Sequence, residues 1–241
     1  RQRQMCIRDR VWNGQWFKWE NRNTNFLYGQ PDGGPTHDAP QNGYLNRSRV
    51  SLDYIPRDNN HPYRPAIIFR MAEAYLSYAE ALNESSERMS HKQEILDNLN
   101  KIRHRAGIAE YGTGTDENGF TRIKINFSDQ KEVRRLIHKE RRVEFVGEGV
   151  RYHDLRRWKT AHYGIGNLNE QGENPDWGVN GPDYGMNYYG TEYTDQGDNA
   201  FFKRTKYMDR VYPRKFYWYP IHQSEIDKDP TLVQGPFWLG E

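Results

Sequence analysis

The run IHKERRVEFVGEGVRYHDLRRW, residues 137–158, decides how the chain is read. Glu140, Glu144 and Glu148 recur every four residues, so a continuous helix would set them in one row. Neighbouring like charges in such a row cost about 0.2–0.5 kcal/mol per pair, and the row therefore requires cations against it. Arg141 and Arg142 stand beside it, and Gly147 and Gly149 permit a break after which Arg151, Arg156 and Arg157 fold back towards the carboxylates. The spacing predicts a helix, a sharp corner and a second short helix. Glu140, Arg141, Glu144, Glu148, Arg151, Asp154, Arg157 and Trp158 then form a structural clamp. Three carboxylates with His138 and His153 also have the composition of an acid/base or metal site. Arginine in excess suits a salt-bridge cluster better, because a metal wants ligands that are not already compensated.

Upstream of this run the periodicity is helical. Pro65 suits a helix start, and Ile68, Met71, Ala72, Tyr75, Ala79 and Leu82 come after it at spacings of three and four, predicting a helix over 66–83. Ser90 with Gln93 reads as a capping box opening a second helix, with Ile95, Leu99 and Ile102 on one stripe and Gly107 closing it. The short connection between them makes the pair an antiparallel hairpin. Residues 109–126 read as loop, and Ser128 is the expected cap of the third helix.

Composition narrows the class. The 241 residues are long enough to bury a core, yet the mean hydropathy is −1.11 and aromatic residues reach 14%, with 7 Trp and 17 Tyr. Rings in such excess over the aliphatic core belong partly at the surface, where they stack on ligands. A net charge of +2 does not point to nucleic acid. Residues 131–159 carry ten cations against five anions and residues 160–202 carry no Lys or Arg, which reads as internal complementarity. A lone Cys6 excludes an intramolecular disulfide and a cysteine-built zinc site, and no apolar run precedes it as a lipid-attachment cysteine requires. No run approaches the roughly 18 apolar residues of a membrane span.

Two stretches lack helical period and concentrate rings. Residues 11–65 are rich in Gly, Asn, Pro and aromatics and read as structured loop with one or two short strands, and 160–202, with eight glycines among polar and aromatic residues, read as a long ordered loop. RQRQMCIRDR, residues 1–10, shares no pattern with the rest of the chain and reads as an extraneous tail, leaving 11–241 as the domain portion. Residues 217–230 read as a short extended piece, a turn and the start of a terminal coil.

Four of these stretches, in order, resemble the SusD/RagB family of outer-membrane nutrient-binding lipoproteins. They are FRMAEAYLSYAEALNE (69–84), LDNLNKIRHRAG (96–107), the Glu140 to Trp158 pattern, and YWYPIHQSEIDKDPTLVQGPFW (217–238). Departures are mild: His222 stands where the family has a second proline, and Gly235, Pro236 and Phe237 replace an Asn-Pro-Gly order. The resemblance covers only what corresponds to the C-terminal part of a family member. It implies a mainly α, tetratricopeptide-like helical scaffold with long irregular aromatic-rich loops. It further implies glycan capture at the cell surface and delivery to a SusC-like TonB-dependent transporter, with a lipid anchor lying upstream.

Glycans offer apolar C–H faces to rings and hydroxyls to Asn and Asp. The candidate glycan-binding residues are therefore Trp12, Trp16, Trp19 and Tyr28 in the first stretch, and Trp177, Asp183, Tyr184, Asn187, Tyr188 and Tyr189 in the second. The competing reading is that each ring anchors its own loop. No GxSxG, HExxH or phosphate-binding loop occurs, and no cofactor or metal is expected. Asp116 to Gly119 is a fragment of a calcium loop without its terminal Glu. Two other functions stay open at this point: a tetratricopeptide-like adaptor for a protein partner, and a glycoside hydrolase using carboxylates of the acidic loop.

Overall fold

Three apolar stripes, each at helical spacing, meet in one core. The computed structural model describes residues 27–30, 63, 67–164 and 178–239, together with the backbone of four two-residue strands, β1 to β4 (Val11–Trp12, Gln15–Trp16, Lys18–Trp19 and Arg22–Asn23). The helices are α1 (Met71–Glu84), α2 (Lys92–Arg105), α3 (Gln130–Glu144), α4 (Val150–Arg157) and α5 (Gln223–Lys228). β1 pairs antiparallel with β2, and β3 with β4; β5 (Gly181–Met186) pairs with β6 (Arg204–Arg210). The chain divides into two compact units, Arg1–Arg151 with Gly185–Thr205, and Tyr152–Tyr184 with Lys206–Glu241.

In the first unit α1 packs on both α2 and α3. Leu76 and Ala79 of α1, Ile95 and Leu99 of α2, and Val133 and Ile137 of α3 are all fully buried. Each large aliphatic side chain so buried stabilises by about 1.5–3 kcal/mol. Asn83 pins the C-terminus of α1 to the start of α3: its Nδ2 donates to the Gln130 carbonyl at 3.3 Å, and Gln130 Nε2 donates to the Asn83 carbonyl at 2.7 Å. The architecture is mainly α, with helix pairs, as expected.

Helix starts depart from the expectations. Arg70 is extended (φ −140°, ψ 155°), so α1 begins at Met71 rather than at 66. In that conformation Arg70 reaches Glu144 and Glu148. The Ser90 capping box does not form: Ser90 Oγ donates to the Glu87 carbonyl at 2.7 Å, Gln93 Nε2 donates to Asp97 at 2.8 Å, and α2 starts after His91. The cap of α3 is Asp129 rather than Ser128, its carboxylate accepting the N–H groups of Lys131 and Glu132. The break after α3 occurs as read, with Gly147 and Gly149 at φ 79° and 80°, a region closed to most side chains.

The 109–126 loop is braced by bridges between Tyr111 and Ile123 and between Thr115 and Thr121. Asp116 accepts the N–H groups of Glu110, Asn118 and Phe120, so the calcium-loop fragment is a turn held by its own carboxylate. In the second unit the terminal segment contains a 3-10 turn (Arg214–Tyr217) and the short helix α5, where a turn and coil were expected. His222, the residue replacing the family's proline, caps α5 by accepting the Ser224 N–H at 3.2 Å. Gln234 bonds both the N–H and the carbonyl of Ile221, which ties the terminal coil down.

Candidate functional site

The loop 187–202 folds on itself and presents rings. Asn187 donates its N–H to the Phe201 carbonyl at 3.0 Å, Phe201 donates to Glu192 at 2.8 Å, and Thr191 and Glu192 both donate to Asn199. Asn187 also spends its side chain on the loop, Nδ2 donating to the Asp198 carbonyl and Oδ1 accepting the Tyr189 N–H. Beneath these bonds lies a small core of Met186 and Phe201, with Leu27, Tyr193 and Phe202 packed against it.

A turn from the first aromatic stretch joins this loop. The Tyr28 N–H donates to the Gly190 carbonyl at 2.9 Å, which sets the Tyr28 and Tyr189 rings 5.4 Å apart and inclined by 52°. Tyr188 meets Tyr189 edge-on at 5.4 Å. Tyr188 is half-buried, whereas Tyr28 and Tyr189 are 39% and 66% exposed, so the first ring supports and the other two are presented. Gly190 is required by close approach: a Cβ there would lie 2.4 Å from the Phe201 Cα and 2.6 Å from its nitrogen. Two inclined phenol rings with hydroxyls at their edges are thus exposed side by side, an arrangement with the chemistry to meet a flat, partly apolar ligand.

The other candidates fall elsewhere. Asp183 and Tyr184 belong to the second unit, where Asp183 pairs with Arg210 and Tyr184 is exposed. Trp177 lies outside the described residues, as do residues 1–10. Trp12, Trp16 and Trp19 are placed in the short strands, with their side chains outside the described residues.

The clamp assembles with partners that the local sequence does not show. Glu140, with a side chain 3% exposed, accepts from Arg103 Nη1 at 2.6 Å and from the Tyr111 hydroxyl at 3.1 Å. Arg70 grips Glu148 through Nε at 2.9 Å and Nη2 at 2.7 Å, while Glu144 accepts from both Arg70 and Arg105. The Arg70 and Arg141 guanidinium groups stand over the Phe145 ring at 4.7 and 5.3 Å. Arg70, Arg103 and Arg105 thus stand among the cations on the carboxylate row. Arg156, expected to fold back on that row, donates to the carbonyls of Phe216 and Tyr217, and Arg157 donates to Asp154 at 2.9 Å. Arg157 also stacks on Trp158 at 4.8 Å. Arg151 is half-buried in the first turn of α4. Nothing in the spacing of Arg70 marks it as a partner of residues 74 and 78 positions away.

The acid/base alternatives have structural settings. His138 is buried 4.0 Å from Glu80, and His153 is exposed against Tyr152. Asp198 pairs with Lys203 at 2.8 Å, and that ion-paired hydrogen bond holds its carboxyl below the usual aspartate range. Among the described residues no group of three or more His, Cys, Asp or Glu side chains is placed to hold a metal.

A scaffold of paired helices carrying an ordered, ring-presenting loop defines a class of helical-repeat proteins with aromatic surface loops. Within that class the chain belongs to the SusD family, whose model matches residues 10–238. Two SusD-like proteins of Formosa agariphila are each 32% identical to it, over 109 and 103 residues, covering 45% and 43% of this chain. The matched parts are 18% and 19% of those relatives. A crystal structure of a SusD-like protein from Bacteroides fragilis NCTC 9343 superposes with a TM-score of 0.55 at 26% identity, covering 86% of this chain and 33% of that one. The chain therefore spans a minor part of the relatives it matches.

Proposed function

We propose that this chain is the C-terminal portion, residues 11–241, of a cell-surface glycan-binding protein of the outer membrane. In this reading it holds oligosaccharide by ring stacking and hands it to a SusC-like TonB-dependent transporter without breaking a bond, and a lipid anchor upstream attaches the protein to the membrane. The observation that carries the reading is the exposed Tyr28 and Tyr189 pair on a braced loop, because inclined phenol faces match the C–H face of a pyranose and their hydroxyls match its substituents. Family membership supports it.

The test is affinity electrophoresis of the chain in gels containing neutral plant, storage and mucin-type glycans, with sugar release assayed in parallel. The reading expects retardation by at least one glycan and no product. Released sugar would replace the binder with a hydrolase, and indifference to every glycan combined with peptide binding would replace it with an adaptor.

A further inference from the structure

A second feature of the first unit lies outside the tyrosine platform. Between α2 and the 110–128 loop runs an open groove of about 1210 Å³, at the large end of the roughly 300–1,000 Å³ of small-molecule sites. Its size suits several linked sugars rather than one. Tyr75, Leu96 and Ile125, each half-buried, supply the accessible apolar part of its lining, over Tyr111 and Phe127, which are buried in the helical core.

Cations outnumber carboxylates around that lining: Lys92, Lys101, Arg105, Arg122 and Lys124 stand there with Asp97, Glu110 and the exposed Glu117. Glu110 is spent internally, accepting from Arg122 at 2.9 Å and lying 3.2 Å from His104 Nδ1. Asp97 accepts from Gln93 at 2.8 Å. Lys101 and Lys92, by contrast, place their ammonium groups over rings, 4.5 Å from the centre of Tyr75 and 5.9 Å from that of Phe127. Lys124 lines the groove on the loop side. Among the described residues no carboxylate lies within ion-pair distance of these three lysines. The groove thus combines a half-buried apolar floor with three ammonium groups that no carboxylate of those residues meets within ion-pair distance, Asp97 and Glu117 being the exposed carboxylates of the same lining.

We propose that this groove binds an anionic oligosaccharide, one whose sugars carry uronic carboxylates or sulfate esters. Such a sugar presents a C–H face to the apolar floor of Tyr75, Leu96 and Ile125 and an anion at its edge to the lysines, the two chemistries found side by side here. An acidic peptide fits less well. A strand would need an open sheet edge and a helix an apolar groove, whereas this rim is ionic and both amide ends of Asn100 are already bonded to Tyr111. The inference rests on the glycan-binding reading and adds a ligand class and a second site to it.

The experiment is titration of the chain with polygalacturonate, chondroitin sulfate, a neutral glycan that retards it, and poly-glutamate. The variants are Lys92→Gln/Lys101→Gln/Lys124→Gln and, as a charge-matched control outside the groove, Lys139→Gln/Lys159→Gln/Lys228→Gln. Circular dichroism checks that both fold. The expected result is binding to at least one acidic polysaccharide, weakened at least tenfold by the groove triple and by 0.5 M salt, with the control triple unchanged and neutral-glycan binding unaffected by either. Response to polygalacturonate or to chondroitin sulfate separates the carboxylate from the sulfate source. Equal losses in the two triples, equal binding of poly-glutamate, or indifference to both acidic polysaccharides would overturn the groove proposal. If a neutral glycan still binds in any of those cases, the reading of the tyrosine platform stands without it.

Discussion

Glu140→Ala is expected to be the most damaging single change in the clamp, and the structure supplies the reason. The Glu140 and Arg103 side chains are 3% and 10% exposed and meet at 2.6 Å, with the Tyr111 hydroxyl as a further donor and the Tyr111 ring 4.2 Å from the guanidinium. The pair lies at the ends of the apolar stripes of α2 and α3, beyond Ile102 and Ile137. Removing the carboxylate leaves Arg103 buried with the Ala109 carbonyl as its remaining hydrogen-bonded acceptor, at a cost of about 3–5 kcal/mol. Glu144→Ala is expected to cost less, about 1–2 kcal/mol. Two cations on it, Arg70 and Arg105, are 25% and 56% exposed, and Arg70 keeps Glu148 and the Glu144 carbonyl. Urea unfolding followed by circular dichroism measures both, provided each transition is two-state. Replacing the pair together, Arg103→Leu/Glu140→Leu, should recover most of the loss, because no buried charge is left uncompensated. A Glu140→Ala variant no less stable than Glu144→Ala would refute the reasoning. So would a folded, stable Glu140→Ala chain that had lost glycan binding, which would return these carboxylates to a ligand site.

Three further outcomes are expected. Tyr189→Ala should weaken neutral-glycan binding by about 1–2 kcal/mol, roughly 5- to 30-fold, with Tyr28→Ala somewhat milder and unfolding unchanged in both; isothermal titration reads the first and urea melts the second. Gly190→Ala should cost about 1–3 kcal/mol by forcing a Cβ into the Phe201 backbone, and should weaken the same glycan by separating Tyr28 from Tyr189; binding equal to wild type would show that the platform does not depend on this close approach. The third concerns acid. Burial alone would raise the Asp116 carboxyl, but the N–H groups of Phe120, Glu110 and Asn118, and the charge of Arg122, hold it below the usual aspartate range. A folded pKa below the unfolded one means that the stabilisation is complete above the ordinary aspartate pKa and is lost as pH falls through the depressed value. The 110–123 loop should therefore open below about pH 4, with faster hydrogen exchange at Glu110, Asn118 and Phe120 than in α2, and Asp116→Ala should show that exchange at neutral pH. Exchange in the variant equal to wild type at pH 7 would remove the carboxylate from that role.

Legibility in the sequence depends on the range of the interactions. The stripes Leu76 and Ala79, Ile95 and Leu99, and Val133 and Ile137 repeat within one helix, so spacing reveals them, as it does the glycine break after Glu144. Caps read one residue off or on the wrong pair, since Ser90, Ser128 and Asp129 carry the same chemistry and only the backbone path selects between them. The start of α1 is not legible locally because Arg70 leaves helical geometry to reach Glu144 and Glu148, a demand that lies 74 and 78 residues away. The two aromatic stretches are recognisable in the sequence by their composition. That Tyr28 joins Tyr189 depends on the backbone bond to Gly190 and on Leu27 packing against Met186 and Phe201, and the groove along α2 depends on where the 110–128 loop returns.

By itself, then, the sequence determined the helical class, a row of carboxylates in need of cations, and a family resemblance that the match over residues 10–238 bears out. Tertiary structure alone decided which cations answer the row, which rings stand together and which lysines are left facing a groove. The physical reason is that periodicity is written into neighbours three and four apart. Ion pairs and ring pairs are made by segments that meet only after the core has closed.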